Sequence, residues 1–204
     1  MRIRVATVVT LVVSIAGAIR ADATVIAGSG DSPTSPPSFW TDSFWGVTSS
    51  IEMAFPFTLV VDQSCWLEAL DVAAYRYEGL GGMTADFSIT RDDGGLPGEE
   101  LAVFHVQGIT LTPQVLSATL QQDVALDPGV QYWIVGSTDV GQVNWNLGDY
   151  VFGPRATCVN DGDWTYSANG NVSAFTIRGT QVPEPSVGLL LGCVLIPVVV
   201  VRRT

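Results

Sequence analysis

The chain contains no lysine and a single histidine, His105, among its 204 residues. Charged residues make up only 14%, and nine arginines stand against 20 acidic side chains, for a formal net charge of −11. Phosphate binding needs clustered Lys and Arg, so this balance argues against nucleic acid and anionic lipid as partners. One histidine cannot build a His-based metal cluster. A Ser-His-Asp triad would need that same residue, and no Gly-x-Ser-x-Gly motif accompanies it. His105 lies in Leu101-Ala-Val-Phe-His-Val106, which reads as a strand, so it is expected to pair across a sheet. Cysteine is scarce, at three. No cofactor and no metal are expected. What is plentiful is glycine (21), proline (11) and apolar residues (47%), the composition of a turn-rich globular chain of one domain.

Two apolar stretches lie outside that domain. Met1-Arg-Ile-Arg4 precedes an apolar core, Val5–Ile15, and then small residues. A basic start, a short apolar core and an Ala-x-Ala site mark a secretory signal peptide, taken as residues 1–23. Cleavage fits after Ala18 or after Ala23. The competing reading is a membrane anchor. A helix over eleven residues would span only ~17 Å of a ~30 Å hydrocarbon core, too little to cross. The second stretch, Val187–Val201, carries no charge, follows Val182-Pro183-Glu184-Pro185 and precedes Arg202-Arg203-Thr204. A short apolar helix flanked by arginines halts in the inner membrane with the arginines on the cytoplasmic side. Its length of ~22 Å and Pro197 make it a poor permanent anchor, so the insertion reads as transient.

The set formed by Pro183-Glu184-Pro185, the apolar run and Arg202-Arg203 resembles the PEP-CTERM sorting signal of exported bacterial proteins, over residues 182–204. The resemblance implies handling by an exosortase, a membrane-embedded cysteine transpeptidase that recognises the tail and cleaves near the triplet. It also implies a Gram-negative, exopolysaccharide-making source. An ordinary transmembrane tail is the competing reading. Cys193 and Pro197 within the apolar run are a mild departure from the pattern. The implied partners are signal peptidase and the exosortase, and the implied destination is the cell surface or the extracellular matrix, where exopolysaccharide is a further partner.

Between residues 24 and 182, four arginines face 18 acidic residues, a charge of −14. Residues 28–38 form a polar linker rich in Ser, Pro and Gly. Strands are expected over Phe55–Val61, Cys65–Tyr77, Met83–Thr90, Leu101–Val106, Val115–Leu126, Val130–Ser137 and Val172–Arg178. Ala85, Phe87 and Ile89 fall on one face, with Asp86, Ser88 and Thr90 on the other; Val130, Tyr132 and Ile134 alternate likewise. That period puts one face on a core and one in water. Turns are expected at Arg91–Gly98, Asp127-Pro128-Gly129 and Asn160–Asp163. The fold class is all-β, an antiparallel sandwich or jelly roll over 51–180, preceded by a linker and first strands over 24–50. Phe87–Gly98 followed by Ala125–Ile134, with their Gly-x-Pro-Gly turn and Pro-Gly-x-x-Tyr-Trp strand start, resembles the choice-of-anchor β-sandwich domains. This second resemblance implies the fold and carries no catalytic residue.

Candidate sites follow from residue type. Cys193 would leave with the tail, so Cys65 and Cys158 remain as a pair in an oxidising compartment, where a disulfide is expected; two separate buried thiols are the alternative. Closing that loop of ~90 residues would contribute about 4–5 kcal/mol. Acid pairs stand at Asp92-Asp93, Glu99-Glu100 and Asp161/Asp163. Paired carboxylates can hydrolyse glycosides and clustered oxygens can hold calcium, but the spacings match neither, and solvated turns are the better reading. Trp145 and Trp164, each with polar neighbours on both sides, are the candidates for an exposed glycan platform, although tryptophans are mostly core. Taken together, the residues predict a non-catalytic exported protein for display or adhesion. A carbohydrate-binding module using Trp145 and Trp164 is the alternative, and a glycosidase using an acid pair the third.

Overall fold

The computed structural model describes residues 23–29, 44–77 and 83–182. Apart from Ala23 and Val182, the expected signal peptide and sorting signal lie outside these residues, as does most of the linker. The chain forms β1 (Thr24–Gly28), β2 (Phe44–Thr48), β3 (Ile51–Thr58), β4 (Cys65–Arg76), β5 (Met83–Asp92) and β6 (Pro97–Ile109). It continues through β7 (Gln114–Thr119), β8 (Ala125–Leu126), β9 (Gln131–Ser137), β10 (Gln142–Val159), β11 (Thr165–Ser173) and β12 (Phe175–Gln181). Every pairing is antiparallel. No helix occurs among the described residues. The protein is an all-β antiparallel sandwich.

Hydrogen bonding runs β1-β12-β4-β10-β2-β3-β9-β5-β6, with β7 and β8 added to β4 and β11 to β10. One leaf centres on β4 and β12, the other on β3, β9 and β5. β10 joins them. Its first half pairs with β2 and β4 around Trp145, and its second half pairs with β3 through Ala156–Val159. The register against β11 breaks between Leu147 and Phe152 and again between Gly153 and Arg155. A strand that changes leaf needs such breaks to turn the corner.

Alternation fills the space between the leaves. Met53, Phe55 and Phe57 of β3, Ala85, Phe87 and Ile89 of β5, and Tyr132 and Ile134 of β9 enter one buried cluster. Ile26, Leu67, Val72, Phe175 and Ile177 face them from the other leaf. Phe57 meets Phe175 at 6.1 Å between ring centroids, although their strands share no ladder. Each large side chain fully buried there contributes about 1.5–3 kcal/mol.

Several expected elements shift. Ser88 and Thr90 are buried, so the second face of β5 is covered over its later half, while Asp86 on the same face stays partly exposed; Ser88 Oγ donates to Glu100 at 2.8 Å. The expected strand over Val115–Leu126 is two, β7 and β8, because the chain leaves the ladder at Gln121–Asp123 before returning to β4. Val172–Arg178 likewise spans two strands. Ala174 separates them, and its amide donates to Asn146 O at 2.8 Å. β1 and β2 lie within 24–50, where first strands were expected without bounds, whereas β10 and most of β11 were not among the expected strands. Gly28 and Ser29, assigned to the linker, belong to the sandwich: Ser29 is buried, and its Oγ accepts from Phe175 N at 2.9 Å. The turns fall where expected, with Gly94, Gly95 and Gly129 at positive φ and Asn160 and Asp161 both at 53°. Asn and Asp tolerate that left-handed region better than most residues.

Candidate functional site

Trp145 is not a surface residue. Its exposure is 0%, and its ring lies edge-on to Phe87 at 4.8 Å and Phe55 at 5.1 Å between centroids. Its Nε1 donates to Ala174 O at 3.0 Å, which satisfies the one polar atom an indole brings into a core. The glycan platform expected at Trp145 is therefore excluded. Asn144 and Asn146, the polar neighbours that pointed to exposure, are themselves buried. Trp45 is also engaged: Nε1 donates to Asn171 O at 2.9 Å, and the Arg155 guanidinium lies 3.8 Å over its ring. Burial lowers the pKa of Arg155.

The expected Cys65–Cys158 bridge is absent, and both side chains are free, buried thiols. The physical reason is a sheet wall between them. Cys65 belongs to the main core, whereas Cys158 shares the outer face of its leaf with Ala156 and with Glu52, its partner on β3. Burial pushes up the pKa of both thiols. At Cys158 the carboxylates of Glu52, Asp161 and Asp163 push further in the same direction. Burial, followed by Asp161, raises Glu52 in turn. Thiolates are thus disfavoured, and with them oxidation or nucleophilic chemistry. The full-length chain, unfolded without reductant, is expected to titrate three thiols, Cys65, Cys158 and Cys193. A count of one would restore the bridge.

His105 pairs across the ladder with Asp86, Nδ1 to Oδ1 at 2.7 Å, on an exposed face of β5 and β6. That is the strand pairing expected of it. The acid pairs do not converge. Glu99 reaches Arg91 at 3.3 Å and Glu100 binds Ser88, while Asp161 sits in the turn after β10. Among the described residues no group of three or more His, Cys, Asp or Glu side chains could hold a metal ion. Pro183, Glu184, Pro185, Arg202 and Arg203 lie outside the described residues.

A concavity lies on the outer face of the β3–β9–β10–β11 leaf. There Ala54, Trp133, Val135 and Ala156 form a second buried cluster, against which Leu96 and the half-buried Trp164 pack. Beside it lies a groove of about 470 Å³ lined by Pro56, Leu96, Gln131, Trp133, Pro154 and Tyr166, with Gly94 and Gly95 at its rim. Tyr166 is 52% exposed. Asp92, at the end of β5, stands behind the rim. Its Oδ1 accepts from Trp133 Nε1 at 2.7 Å and from Gln131 Nε2 at 2.6 Å, and its Oδ2 from Gly95 N at 3.1 Å. The Trp133 bond above all, with those from Gly95 and Gln131, holds the Asp92 carboxyl below its ordinary pKa despite some desolvation. Asp92 is therefore a structural anchor, tying the β5–β6 turn to β9, and not merely a solvated turn residue.

Sequence reasoning named Asp92 and Trp164 but missed Pro56, Leu96, Pro154 and Tyr166. The available signal was weak: Trp164 and Tyr166 are two apart, so a strand there would place both on one face. No protein-family model matches this chain, and a search of the curated proteins returns no match.

Proposed function

We propose that this chain is an exported bacterial cell-surface or extracellular-matrix protein, guided by a signal peptide and processed by an exosortase, whose sandwich serves display or adhesion without catalysis. The observation that carries the reading is the ordered set of Pro183-Glu184-Pro185, the apolar run Val187–Val201 and Arg202-Arg203. It resembles the PEP-CTERM signal, and a proline-interrupted run of that length suits passage through the inner membrane better than residence there. The sandwich supports the second half of the reading. Among the described residues Asp92 and Glu100 are committed to hydrogen bonds and Glu99 to Arg91, whereas catalytic groups gather with perturbed pKa values in one cleft.

The test is the intact mass of the protein released by its native host. The mature chain is expected to start at Ile19 or Thr24 and to end near Pro183–Pro185. A released protein still carrying Val187–Thr204 would sink the sorting reading. Glu184→Ala should accumulate as unprocessed precursor in the membrane fraction.

A further inference from the structure

We propose that the groove beside Tyr166 binds an uncharged pyranose unit of a polysaccharide. Adhesion in the preceding section names no ligand; this site supplies its chemical class and rests on that reading. The groove has the two features a sugar ring needs. One is a flat apolar surface, given by the half-exposed Tyr166 ring in a lining it shares with Pro154 and Pro56, against which the C–H face of a pyranose stacks. The other is a fixed acceptor for a ring hydroxyl, on Gln131. Gln131 spends its amide N–H on Asp92, which turns its Oε1 into a free acceptor among the described residues. Because Trp133 and Gly95 also grip that carboxylate, Gln131 is held in place before any ligand arrives, and little ordering cost remains to be met on binding.

Charge decides which sugars fit. No arginine lines the groove, the chain has no lysine, and Asp92 stays ionised behind the rim. A uronate or sulfated unit would bring a second negative charge beside Asp92 with no cation to offset it. A neutral ring brings only hydroxyls, one of which can donate to Gln131 Oε1. The volume of about 470 Å³ lies within the usual range of about 300–1,000 Å³ for small-molecule sites.

The experiment is affinity electrophoresis of the purified full-length protein through native gels containing dextran, mannan, galactan or xyloglucan, with alginate as the anionic polymer. At least one uncharged polymer is expected to retard the protein, and alginate is not. Tyr166→Ala should weaken that retardation at least tenfold, whereas Tyr166→Phe, which keeps the ring, should retain most of it. Gln131→Ala should weaken it severalfold. Tyr77→Ala, an exposed ring outside the groove, should leave it unchanged. Melting temperatures of all variants guard against loss of fold, which is not expected at the exposed Tyr166. The proposal is overturned if no uncharged polymer retards the wild type, if alginate alone does, or if Tyr166→Ala has no more effect than Tyr77→Ala. Binding is read on purified protein, so its failure leaves the processing reading standing, and failed processing leaves the groove untouched.

Discussion

Trp145→Ala is expected to cost about 3–5 kcal/mol, the usual loss for a large aromatic side chain removed from a core. A domain of this kind has only about 5–15 kcal/mol of stability, so the variant should sit near the edge of folding. The reasons are local. The indole fills the space between the leaves, with Phe55, Phe87 and Phe175 around it. Gly136 makes room for it: a Cβ there would come within 3.0 Å of Trp145 Cε3. Truncation opens a cavity that these rings cannot close, and it leaves the buried Ala174 carbonyl with only the long bond from Ala73 N at 3.4 Å. Trp145→Phe should recover part of the loss by refilling the space without restoring the hydrogen bond. Trp164→Ala, half-buried on the outer face, should cost about 1 kcal/mol. Urea unfolding followed by far-UV circular dichroism measures all three. A Trp145→Ala loss within about 0.5 kcal/mol, the usual range for surface sites, would mean that the indole is not in the core.

Trp145 also shows where sequence reading succeeds and where it stops. The fold class was legible because β5 and β9 carry period-two apolar residues, Ala85-Phe87-Ile89 and Tyr132-Ile134, that end in one core. The turns were legible because Gly, Pro, Asn and Asp at those positions meet local backbone demands that no distant contact alters. β10 was not legible. Its first half runs between β2 and β4, and Asn144 and Asn146 are buried there beside Trp145. In a strand covered on both sides, the polarity of a neighbour says nothing about exposure. Gln142 Nε2 donates to Asn144 Oδ1 at 2.8 Å, so part of that polarity is met within the strand itself.

The cysteine pairing failed for a related reason. Parity along a strand assigns a face, but which faces meet depends on the register between strands distant in sequence. Cys158 is placed opposite Glu52 only once β10 has crossed to the second leaf. The groove was hidden in the same way. Pro56, Leu96, Pro154 and Tyr166 come from four separate segments, and the β3–β10, β10–β11, β3–β9 and β5–β9 registers bring them to one wall. Asp92 was visible as half of an acid pair, yet its role depends on Trp133 and Gln131, about forty positions on, as β9 pairs with β5.

Gly179→Ala is expected to destabilise the protein by about 3 kcal/mol, at the top of the ordinary range for overpacking. Gly179 lies in β12 opposite Leu67, next to the register break at which the ladder passes from Ala69 to Leu67 of β4. A Cβ at Gly179 would collide with the carbonyl oxygen of Trp66 and stand 2.8 Å from Ile26 Cδ1. The Ile26 contact could yield by a rotamer change. The carbonyl cannot, because Trp66 and Cys65 are held on both sides, by Thr180 and Gln181 of β12 and by Ala125 and Leu126 of β8. Relief would require moving β4 against a neighbour, and the bulge that aims Glu68 at Thr180 Oγ1, 2.9 Å away, would go with it. Ile26→Val, which removes only Cδ1, should therefore fail to rescue Gly179→Ala. The contrast is Gly129→Ala, at φ 72° with nothing within 4 Å of the added methyl. That change meets backbone strain alone and should cost about 1–2 kcal/mol. Thermal and urea unfolding of the two alanine variants decides between them. If Gly179→Ala proved no worse than Gly129→Ala, or if Ile26→Val restored it, the β4–β12 register around the bulge would be wrong.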